Sequence, residues 1–88
     1  MKLNPDFILK KLNDESVVVA TGEASKKFYG IINVNETCAF LLENLKDDKT
    51  EEELAEILAN KYEIDIETAK VDVADFIKSA SDAGILDE

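Results

Sequence analysis

The chain has 88 residues, 45% of them hydrophobic and 34% charged, which is room for a single domain over 1–88 with a modest core and no room for a second. Twenty Asp and Glu against ten Lys and Arg give a net charge of -10, a field that repels phosphate backbones and anionic lipid, so neither nucleic acid nor a membrane is an expected partner. With no histidine and Cys38 as the single cysteine, the usual zinc sites, an internal disulfide and the commonest general base are all excluded.

The hydrophobic period divides the chain into an extended front third and a helical remainder. Phe7 to Leu12 alternates in part and Val17 to Thr21 is a β-branched run, and the polar stretch Asn13-Asp14-Glu15 between them predicts a hairpin. A loop at Gly22 to Lys26 leads to a third strand, Phe28-Tyr29-Gly30-Ile31-Ile32-Asn33-Val34. Asn35 can cap a first helix whose buried side is Cys38, Leu41, Leu42 and Leu45, ending near Lys46. Thr50-Glu51-Glu52-Glu53 matches a capping box ahead of Leu54, Ile57, Leu58 and Tyr62, the apolar face of a second helix. Asp65 is the expected cap of the last and longest helix, with Ile66, Ala69, Val73, Phe76, Ile77 and Ala80 as its buried stripe. Gly84 stops that helix, and Ile85 and Leu86 fold back on the bundle. The expected fold class is α+β, winged helix-turn-helix-like, with a three-stranded antiparallel sheet followed by three helices.

The sequence carries no recognisable chemistry. The carboxylates do not form a calcium loop, and Gly22, Gly30 and Gly84 are too few and too scattered for a phosphate-cradling loop. No metal or cofactor is expected, and Cys38 sits on the apolar stripe of its helix as a small core residue rather than a nucleophile. No apolar run approaches the length of a bilayer span and the amino terminus lacks a signal-peptide layout, so a cytoplasmic location is expected.

The third strand is more apolar than a one-sided sheet requires. Phe28, Gly30, Ile32 and Val34 face one way, while Tyr29 and Ile31 on the other side either pack under a loop or mark an adhesive surface. As the last strand it offers an edge that another backbone can pair with, which is the basis of β-augmentation. On the last helix Val71 lies opposite the buried stripe beside Ala74, Asp75 and Lys78, a candidate groove wall whose charges could meet either sign.

Ile32-Asn33-Val34-Asn35-Glu36-Thr37, then Phe40-Leu41-Leu42 and Thr50-Glu51-Glu52-Glu53-Leu54, resemble the PqqD family (coenzyme PQQ synthesis protein D-like). The fit continues through Tyr62, Asp65, Ala69, Asp72-Val73, Phe76 and Gly84-Ile85-Leu86, with Val34 where the family more often has Leu and Ala80 where a larger apolar residue is common. The resemblance implies a recognition element for ribosomally made, post-translationally modified peptides. Such a domain is a non-catalytic peptide chaperone that binds a precursor's leader segment as an added strand between the third strand and third helix. It presents the precursor to a modifying enzyme, often a radical SAM enzyme. Carried over, the peptide-binding residues are Phe28, Tyr29, Gly30, Ile31, Ile32 and Asn33 on the strand, with Val71, Ala74, Asp75 and Lys78 on the helix. A winged-helix nucleic-acid-binding domain, or another protein-protein adaptor, is the alternative; the net charge and the lack of a basic stripe on the last helix weigh against DNA. A carrier protein would need a Ser in an Asp-Ser-Leu setting, which Ser16, Ser25, Ser79 and Ser81 all lack. Self-pairing of the sticky edge into a homodimer is left open.

Overall fold

In the computed structural model, which describes residues 1–22 and 31–87, the alternating front of the chain builds the predicted hairpin. Strand β1 is the short Lys2–Leu3, β2 is Phe7–Leu12 and β3 is Glu15–Ala20. Leu12 pairs with Glu15, so the turn is Asn13-Asp14 alone, with Asn13 at φ 57°, a conformation asparagine tolerates better than most residues. Glu15, expected in the turn, belongs to the strand. Strand β4, Ile31–Val34, pairs antiparallel with β3, Val18 opposite Ile32 and Ser16 opposite Val34, giving the sheet order β2-β3-β4.

Three helices follow: α1 over Glu36–Asn44, α2 over Glu51–Tyr62 and α3 over Ile66–Asp82. The Asn35 side chain accepts the Cys38 N–H at 2.7 Å, the expected cap of α1. The capping box on α2 is complete, with Glu53 N–H donating to Thr50 Oγ1 at 3.1 Å and Thr50 N–H to Glu53 Oε1 at 2.9 Å. Hydrogen bonding to its carboxylate, first from the Thr50 backbone N–H and then from the Thr50 side chain, favours the ionised Glu53 and holds its carboxyl below the ordinary glutamate value. Thr50→Ala is expected to lower stability by about 1 kcal/mol at neutral pH. A depressed carboxyl stabilises the fold above its unfolded-state pKa and loses that contribution as pH falls through the folded one, so the deficit should shrink in acid. Urea titrations of both proteins at pH 7 and at pH 3 check both points.

Asp65 occupies the N-cap of α3 by backbone geometry, but its side chain makes no capping hydrogen bond, so it stabilises that end only as a charge beside the helix dipole. The far end closes as predicted. Gly84 takes φ 76°, its N–H bonds to Ser81 O at 3.0 Å, and Ile85 N–H reaches back to Ala80 O at 2.9 Å. This Schellman arrangement turns the chain so that Ile85 and Leu86 are buried. Leu86–Asp87 then forms β5, which pairs antiparallel with β1, and Leu3 N–H donates to Leu45 O at 2.8 Å.

The core lies between the inner face of the sheet and the helices, with Phe7 and Val18 from the strands against Leu41, Leu42, Leu45, Leu54, Leu58, Val73 and Phe76. Several expected core positions differ: Ile66 is 38% exposed, and Cys38, Ile57, Tyr62 and Ile77 are only half-buried, while Ala55 is buried in its helix. Phe40 of α1 and Tyr62 of α2 meet edge to face at 6.0 Å between ring centroids, which ties those helices together.

Candidate functional site

β4 is the last strand of its sheet, and among the described residues no strand pairs with its second edge. In an antiparallel pair, successive residues alternate between bonding the neighbour and pointing away from it, so every second residue of β4 directs its N–H and C=O toward that edge. The sheet's other margin, β2, is differently made: Lys10 and Lys11 are exposed there, and lysines at an edge discourage pairing. Between the two edge strands, β4 is the one whose described residues carry no charged side chain.

That edge borders a cleft of about 530 Å³. Ile32 and Val34, alternate residues of β4, form one wall and also pack on the core. Leu41 and Leu42 of α1 lie at the floor, with Cys38 beside them. The opposite wall is α3, through Asp72, Asp75, Phe76, Ser79, Ala80 and Ala83. These recur at helical three- and four-residue spacing, so α3 divides its surface, with Ala69, Val73, Phe76 and Ala80 sealing the core and an adjoining stripe facing the cleft.

Of the strand residues expected to bind, Ile32 lines the cleft, Ile31 opens β4, and Asn33 faces away beside Lys11, Asp14 and Glu15. Phe28, Tyr29 and Gly30 lie outside the described residues. On the helix, Asp75 lines the cleft, but Val71, Ala74 and Lys78 are exposed and absent from its lining. At about 100° per residue they sit roughly 85° to 145° around α3 from the centre of the cleft stripe. The expectation followed the face opposite the core, whereas the cleft adjoins the core face, sharing Phe76 and Ala80 with it. Asp72, Ser79 and Ala83 are the residues that reasoning passed over, and the signal for them was available as the i, i+3, i+7 and i+11 positions starting from Asp72.

Cys38 is half-buried, and burial pushes its thiol above the ordinary cysteine value, which disfavours the reactive thiolate. Alkylation by iodoacetamide at pH 7 should therefore run several-fold slower than that of free cysteine; a rate at or above the free amino acid's would contradict this reading. Among the described residues no group of His, Cys, Asp and Glu could hold a metal ion, and no helix is long and apolar enough to cross a membrane.

The fold is shared with two solved structures. One is TbiB1 in complex with the TbiA(beta) leader peptide, at TM-score 0.78 and 18% identity over 99% of this chain and 95% of the other. The second is lasso peptide synthetase B1 complexed with the leader peptide, at TM-score 0.73 and 20% identity over 96% of this chain and 93% of that one. No curated protein matches the sequence. Residues 12–86, from the end of β2 to β5, match the profile of coenzyme PQQ synthesis protein D, and across that span, which takes in β4, all three helices and the cleft between them, the chain belongs to the PqqD family.

Proposed function

We infer that this protein binds the leader segment of a ribosomally synthesised precursor peptide, as a strand added to β4 in the cleft beneath α3, and presents it to a modifying enzyme. The observation that carries this reading is the coincidence of a strand edge that no described strand pairs with and an apolar cleft alongside it. Main-chain groups of Ile31 to Val34 would supply affinity in any sequence context, and the cleft would select side chains. Both structural neighbours were solved with a leader peptide bound, which supports the same reading.

The role asks for no nucleophile, metal or cofactor. Holding the leader raises the effective concentration of the attached core peptide at the partner enzyme by tethering alone. A radical SAM enzyme is the partner class proposed, and pairing of two copies through the empty β4 edge is proposed for the unliganded protein. Nucleic-acid binding is disfavoured by α3 itself, where Glu67, Asp72, Asp75 and Asp82 outweigh Lys70 and Lys78.

Calorimetric titration with leader peptides of precursors encoded beside this gene, and with scrambled leaders, tests the reading. Saturable binding of one leader and not of its scrambled form is the expected result. Failure of every leader would sink it. Slower alkylation of Cys38 in the complex would place the peptide in the cleft.

A further inference from the structure

The cleft is apolar at its floor and acidic along one rim, and the acid is not neutralised from within. Asp72 and Asp75 are its charged lining residues, both exposed on α3, and among the described residues no hydrogen bond or ion pair engages either. They stand three positions apart on the helix, about 4.5 Å along its axis, so a single long cationic side chain can reach both. A strand docked on β4 projects alternate side chains, about 6.6 Å apart, toward Ile32, Val34 and the floor. A docked apolar residue would be enclosed there, while a neighbouring residue long enough to pass it would end at the carboxylates.

Resting on the peptide-binding reading, we propose that the cleft selects leader segments in which a lysine or arginine lies at a fixed strand spacing from the apolar anchors, read by Asp72 and Asp75. An acidic residue at that place in the leader would meet two like charges in a partly enclosed site and be rejected. The occupant is thus an extended peptide with apolar anchors and one basic determinant. The chain's overall charge of -10 attracts cations anywhere, so the proposal concerns position, not net charge.

Display selection on the full chain with a randomised fifteen-residue peptide library tests this without knowledge of the natural leader. The wild type should enrich peptides with alternating apolar residues and a Lys or Arg at one constant offset. Asp72→Asn with Asp75→Asn should keep the apolar pattern and lose the basic one. Binding of a wild-type-selected peptide should weaken about three- to tenfold in that double variant, the range two partly screened ion pairs allow. Glu56→Gln with Glu67→Gln changes net charge equally at exposed positions absent from the cleft lining and should change binding less than twofold. An enriched apolar pattern with no fixed basic position, or an equal loss in the control variant, overturns the selectivity while leaving peptide binding intact. If the wild type enriches no peptide at all, the binding reading fails and this inference fails with it.

Discussion

Replacing Ser79 by tryptophan is expected to weaken leader binding by at least tenfold while leaving the protein folded. Ser79 is an exposed residue of α3 that lines the cleft across from β4, so an indole there would occupy space a docked strand needs without entering the core. Serine and tryptophan have similar helix propensities, and the position carries no core packing, so the stability change should stay within about 0.5 kcal/mol. A bulky ring in a cleft of about 530 Å³ removes a large share of the volume available to peptide side chains. Lys78→Trp is the matched control, one residue away on a face that does not line the cleft, and should bind normally. Equal loss from both variants, or from neither, would place the peptide elsewhere.

The second large effect is on stability. Leu54 is fully buried at the start of α2 within the central cluster and lies away from the cleft lining. Leu54→Ala removes apolar contact and leaves a cavity that its neighbours fill only in part, at a cost of about 2 to 5 kcal/mol. A domain of this size has only about 4 to 13 kcal/mol in total, so the variant should melt some 10 to 30 °C lower. With one cysteine and no metal cluster among the described residues, neither a disulfide nor such a site compensates. A fall of less than 5 °C by differential scanning calorimetry would mean that the core tolerates the cavity far better than its burial implies.

Most of the fold is legible in the residues because its elements are long enough to show a period and its helix ends carry specific chemistry. Thr50 to Glu53, Asn35 and Gly84 each act as their positions suggest. Asp65 shows the limit of such reasoning: the residue type suits a cap, but whether its oxygen reaches an N–H depends on a rotamer that sequence does not record. Strands β1 and β5 have two residues each, too short for any period, and they form because Gly84 returns the chain end to the first residues.

The site was harder to read than the fold. The apolar excess of the third strand directs attention to β4, although Ile32 and Val34, which both pack on the core and line the cleft, belong to the face expected to cover the helices rather than to the face of Tyr29 and Ile31. The helix face did not follow in the same way. Periodicity locates the buried stripe of α3 and, by subtraction, the face opposite it, where Val71 is 62% exposed. A cleft wall occupies neither of these but the border between them, and which border depends on how α3 crosses β4. That crossing is a tertiary fact, and it moves the lining from Val71, Ala74 and Lys78 to Asp72, Ser79 and Ala83, with Asp75 common to both.

Hydrogen–deuterium exchange of the full chain, with and without the leader peptide that binds in calorimetry, addresses strand addition most directly. The account predicts that binding slows exchange at edge-facing amides within Ile31–Val34 and leaves the amides of β2, Phe7–Leu12, unchanged. Saturable binding with no new protection in β4, or with protection along β2 instead, would contradict it.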